Sequence, residues 1–97
     1  MRAKGRMIKM YKFASIQAHI KKLNIKGVKI SVSQVDKDNE HNPYITVTLE
    51  RGYEESVLWF TKTKGGILTE LFINGLLCDY ESSHNQHEAI KWAFKGL

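Results

Sequence analysis

SVLWFTKTKGGILTELFINGLLCDYE, residues 56–81, decides the fold. The stretch breaks at Lys64-Gly65-Gly66 and again at Asn74-Gly75. Asn-Gly suits a type I′ turn, whose two central residues both take positive φ, and with an apolar run on each side it marks a hairpin. Residues 56–63, 67–73 and 76–81 therefore read as three successive antiparallel strands. A helix over 67–74 capped by Gly75 is the alternative for the middle run. The hairpin is preferred because hydrophobic residues flank Asn-Gly on both sides. Val57 to Phe60 is apolar on both faces, so this strand should be central or covered on its second face. Either Trp59 or Phe60 must then point away from the main core.

Working outward, Gly52-Tyr53-Glu54-Glu55 reads as a turn. Residues 44–51 form a strand with Ile45, Val47 and Leu49 inward and Tyr44, Thr46, Thr48 and Glu50 outward. DKDNEHNP (36–43) ends in the only proline and reads as a loop. Residues 27–35 alternate, with Val28, Ile30 and Val32 against Lys29, Ser31 and Ser33, as a half-buried strand does. KFASIQAHIKKLN (12–24) predicts a helix. Phe13, Ile16, Ile20 and Leu23 make its apolar stripe, and Lys12, Ser15, His19 and Lys22 make a second, polar one. Asn24 and Gly27 would end it. At the other end, residues 85–96 predict a helix opened by Asn85 with Glu88 three residues on, a near capping box. Ile90, Ala93, Phe94 and Leu97 would be its buried face, with Trp92 off the stripe. The expected architecture is α+β: an N-terminal helix, an antiparallel meander of about five strands and a C-terminal helix, in two layers. Residues 1–11 read as a basic N-terminal arm and 12–97 as a single domain.

Charge is the strongest functional signal. Arg2, Lys4, Arg6, Lys9, Lys12, Lys21, Lys22, Lys26 and Lys29 precede the first carboxylate, Asp36. The first 35 residues carry +9 and the remaining 62 carry −4, for a net +5. Met7 and Met10 are alternative starts to Met1, and beginning at Met7 still leaves +6 in the first segment and at Met10 +5. A pI near 9.4 suits nucleic acid, an anionic membrane or an acidic protein surface. These nine cations and His19 are the expected nucleic-acid contacts, with Lys12, Lys21 and Lys22 at the centre, because phosphates need nearby cations and no particular sequence. Tyr44 and Trp59, if exposed on the sheet, would offer stacking surfaces for bases. The plain alternative is a solvated basic face and a strand buried on both sides.

Other chemistry is weakly represented. Cys78, the single cysteine, excludes an internal disulfide, and a cytoplasmic setting is expected. Cys78, His84 and His87 lack usual zinc spacing, and no third residue completes a Cys–His nucleophile. Asp36, Asp38 and Glu40 resemble the opening of a calcium loop, but His41 replaces the required glycine and Val47 the closing glutamate. No phosphate loop, nucleophile elbow or paired-carboxylate arrangement is present, so no enzyme, metal or cofactor is expected. Val57 to Phe60, the longest apolar run in an expected element, is far below the ~20 residues of a membrane span. The basic start has no apolar core after it, so no signal peptide is expected.

INGLLCDYESSHNQHEAIKWAFKGL, about a quarter of the chain, is similar to the last strand and helix of the double-stranded-RNA-binding domain family. Where that family has a lysine cluster this chain has His84, Asn85, Gln86, His87 and Glu88, followed only by Lys91 and Lys95. It also has two more strands, and membership is not claimed. The expected function is a small non-enzymatic nucleic-acid-binding protein, DNA or RNA unresolved. The alternative is a protein-interaction module, an inhibitor or adaptor of a larger complex, such as phages and mobile elements encode. A homodimer is compatible with either.

Overall fold

The computed structural model describes residues 11–95. Helix α1 (Ala14–Lys22) is followed by strands β1 (Lys29–Val32), β2 (Asp36–Lys37), β3 (Pro43–Arg51), β4 (Glu54–Thr63), β5 (Gly66–Ile73) and β6 (Leu76–Ser83), then helix α2 (Gln86–Ala93). The sheet is antiparallel in the order β1-β3-β4-β5-β6, with β2 also on β3. This is the expected α+β fold. The hairpin reading holds: Asn74 and Gly75 take φ of 50° and 86°, as a type I′ turn demands. Asn74 also ties the two hairpin ends together. Its amide donates to the Glu55 carbonyl at 2.8 Å, and its Oδ1 accepts the Glu55 amide at 2.9 Å.

Residues 27–43 depart from the expectation. The first strand stops at Val32, and the expected loop contains β2. Both pair with β3. Ser33 exchanges bonds with Thr46, through its amide to the Thr46 carbonyl and through Oγ from the Thr46 amide, both at 2.9 Å. Asp36 then pairs with Tyr44. Gln34 and Val35 thus face one residue, Ile45, which makes a bulge that splits the strand. Asp38 Oδ1 accepts the Glu40 and Asn42 amides at 2.9 Å each and closes the remaining turn.

Strand alternation separates the two faces. Ile45, Val47, Leu58, Phe60 and Ile67 are buried on one face beneath Phe13, Ile16 and Ile20 of the first helical segment and Ala89 and Phe94 of the second. Phe60 is fully buried, so Trp59 is the residue that points away. β4 is central, and no described element covers its second face. Leu49 is only partly buried. Ala89, fully buried, was not foreseen, because an alanine gives little periodic signal. Leu97 lies outside the described residues.

Thr69 also lies on the core face, fully buried, and its Oγ1 has no hydrogen-bond partner. An unpaired buried hydroxyl costs about 1–3 kcal/mol, and an apolar group of the same shape removes that cost. Thr69→Val is therefore expected to raise stability by about 1 kcal/mol, read as a higher denaturant midpoint at unchanged slope. An unchanged or lower midpoint would show that the hydroxyl is satisfied.

Candidate nucleic-acid interface

The helical layer is built from two short helices that depend on each other. No side chain of α1 caps its own N-terminus. Gln86 does it from the far end of the chain: its Oε1 accepts the Ile16 amide at 3.1 Å. Its Nε2 donates to the Tyr11 hydroxyl at 2.7 Å and to the Lys12 carbonyl at 3.0 Å. So the N-termini of both helices meet. Farther along, the His19 ring sits 5.1 Å from that of Phe94. The helices therefore run the same way, and their C-terminal ends share one end of the layer.

That geometry sorts the expected cations. Lys12 is exposed beside the start of α1, while Lys21 and Lys22 are exposed in its last turn and Lys26 in the turn after it. Lys21 and Lys22 are roughly 14 Å from Lys12 along the axis. Lys91 and Lys95 are also exposed and belong to the same layer, at its C-terminal end. Sequence reading left them out because only the parallel packing of the helices sets them toward the same end of the layer as Lys21 and Lys22. His19 is half-buried against Phe94 rather than free beside the lysines. Lys29 pairs with Glu50, and its neighbour Ile30 packs toward the core, so Lys29 lies on the opposite face of the sheet. Arg2, Lys4, Arg6 and Lys9 lie outside the described residues.

Lys12, Lys21, Lys22, Lys26, Lys91 and Lys95 thus stand in and beside the helices with one carboxylate, Glu88. Between residues 27 and 83, Lys29, Lys37, Arg51, Lys62 and Lys64 are outnumbered by Asp36, Asp38, Glu40, Glu50, Glu54, Glu55, Glu70, Asp79 and Glu81. Among the described residues, the only ion pair within 4.0 Å is His84 with Glu88. The six lysines of the helical layer are therefore not neutralised by close contacts there.

Glu88 has a structural role. Asn85 caps α2, accepting the Glu88 amide at 3.0 Å. Glu88 Oε1 accepts the His84 amide at 2.9 Å, one residue earlier than in an ideal capping box. That bond, then the His84 side chain, holds the Glu88 carboxyl below its ordinary range, with a smaller pull from Lys91. The charged form is the favoured partner, so this contribution is present above the ordinary carboxylate range and fades as pH falls through the lowered value.

The open sheet face carries the aromatics. Tyr44 and Trp59 stack with centroids 4.9 Å apart, and Phe72 lies 6.3 Å beyond. All three are half-buried. Carboxylates accompany them: Asp36 pairs with Tyr44 and Glu70 with Trp59. The expected stacking residues are thus together, but on the face opposite α1. An open cleft of about 190 Å³ lined by Ile25, Val28, Leu49, Arg51, Glu54 and Ser56 lies near the hairpin end. No group of three or more metal-ligating side chains occurs among the described residues. Among them, too, no helix is long and apolar enough to cross a membrane.

No family model matches the chain, and comparison with curated proteins and with solved structures gives no significant match.

Proposed function

We propose that the protein is a small non-enzymatic binding protein that takes nucleic acid on the basic surface of its helical layer. Lys12, Lys21, Lys22 and Lys26, with Lys91 and Lys95, would meet backbone phosphates. The observation that carries this reading is that these six exposed lysines have no carboxylate within 4.0 Å among the described residues. Cations that are not neutralised gain most from condensed phosphate charge, because each contact releases a counterion. Base reading is not expected from lysines on a helix surface, so affinity should depend on salt more than on sequence.

Gel-shift titration with single- and double-stranded DNA and RNA tests it. If all six lysines engage, affinity should fall about a thousandfold or more between roughly 50 and 200 mM salt. No binding at the lower salt would refute the proposal.

A second reading, a protein-interaction module, is favoured by the open sheet face. Its half-buried aromatics stand among carboxylates, which repel phosphate and suit a protein surface bearing cations. A stoichiometric protein partner that survives nuclease treatment would support this reading.

A further inference from the structure

The two edges of the sheet are not alike. One is formed by β1 and β2, four and two residues long, interrupted between them and carrying Lys29 and Lys37. Short, broken, lysine-bearing edges are how folded proteins prevent unwanted strand pairing. The other edge is β6, eight residues, LLCDYESS, with no proline, lysine or arginine. It pairs with β5 on one side only, and every residue from Leu76 to Ser82 is exposed. Its one irregularity is a bulge at Cys78, where the register passes from Leu71 opposite Asp79 to Phe72 opposite Leu77. The bulge leaves residues 79–83 as an uninterrupted edge.

Register fixes what that edge presents. Asp79 and Glu81 stand opposite Leu71 and Thr69, on the helical side. Tyr80 and Ser82 stand opposite Glu70 and Leu68, on the open side. Tyr80 is 64% exposed and Leu77 50%, and Leu77 adjoins Phe72 in the aromatic row of the open face. The Tyr80 amide donates to its own neighbour, Asp79 Oδ1, at 2.8 Å. A strand carbonyl could replace that local bond. Neither Asp79 nor Glu81 has a cation within 4.0 Å among the described residues.

We propose that the outer edge of β6 over residues 79–83 takes an extended segment of a partner protein as an added strand. That segment alternates basic side chains, facing Asp79 and Glu81, with apolar ones beside Tyr80 and Leu77. Main-chain hydrogen bonds supply affinity in such additions, and alternate side chains supply specificity. A second copy of this chain fits less well, because β6 against β6 sets Asp79 and Glu81 near their own counterparts, and like charges across strands repel. The proposal concerns a different surface from the helical lysines and does not depend on nucleic-acid binding.

The test uses the full chain, isotope-labelled, with two eight-residue peptides: lysine alternating with valine, and glutamate alternating with valine. The lysine peptide should slow hydrogen exchange at the outward amides of this edge, those of Tyr80 and Ser82, leave β1 unchanged, and bind at least about tenfold more tightly than the glutamate peptide. D79K/E81K should reverse that preference, which a misfolded variant could not do. The isosteric pair D79N/E81Q should weaken the lysine peptide severalfold without gaining the other. The proposal is overturned if the lysine peptide leaves the Tyr80 and Ser82 amides unprotected, or if D79N/E81Q binds it as tightly as the unaltered chain. It is overturned equally if these amides become protected with rising protein concentration and no peptide, since the occupant is then a second copy.

Discussion

Replacing Lys12, Lys21 and Lys22 together with glutamate is expected to weaken nucleic-acid binding by at least about a hundredfold near physiological salt, and the salt slope should fall by about three units on duplex DNA. The slope separates this result from a general loss of structure, because it counts phosphate contacts. All three side chains are exposed and none belongs to the buried stripe of Phe13, Ile16 and Ile20. Their reversal should therefore leave the core intact. A cost of about 0.3–1 kcal/mol for each of Lys21 and Lys22 is expected, since both stand in the last turn of α1, where the helix dipole favours cations. Lys29→Glu is the matched control. It reverses one lysine of the same kind, on the opposite face and opposite Glu50, and should leave affinity within about twofold. If Lys29→Glu weakens binding as much as the triple substitution, or the triple substitution leaves affinity unchanged, the helical layer is not the binding surface.

Gly66→Ala is expected to cost about 3–5 kcal/mol, a large part of the roughly 5–15 kcal/mol available to a domain of this kind. Gly66 opens β5 with φ of 146°, a conformation that L side chains rarely adopt. An added Cβ would collide with the Ser83 carbonyl oxygen and approach the His84 carbonyl oxygen at 2.9 Å. Both are backbone atoms, and Ser83 pairs with Ile67 at the end of the β5–β6 ladder. Neither can move aside without opening that ladder, and α2 begins three residues after Ser83. Gly65→Ala meets nothing within 4 Å and should change stability by less than about 0.5 kcal/mol. Denaturant midpoints of the two variants give the comparison. Equal midpoints would show that the turn can shift at little cost.

Much of this fold is legible in the chain. The alternation in residues 44–51 places Ile45 and Val47 in the core, and Asn74-Gly75 locates the last hairpin. Those signals are local and periodic. What escaped the sequence is tertiary. Gly65-Gly66 reads as a turn, but only the approach of Ser83 distinguishes its two glycines. β2 is two residues in a polar stretch, held by pairing with β3 rather than by its own composition. For the proposed interface, charge counting picks out Lys12, Lys21, Lys22 and Lys26, which the structure leaves exposed in and beside α1. It also included Lys29, which strand alternation turns to the other face. It did not pick out Lys91 and Lys95, whose place in the same layer depends on the direction of packing. Gln86 gave no signal, because an amide reaching across 70 residues to cap another helix leaves no local pattern.

That reach also sets an order of assembly. α1 has nine residues, too few to be stable alone, and its first turn is completed by a side chain near the other end of the chain. β3 to β6 pair with sequence neighbours and can zip up as they are synthesised. On the ribosome, the early lysines emerge long before Gln86 exists to fix the helix that carries them. A nascent chain would thus carry the charge before the surface, and the helical layer would be complete only once α2 has been made.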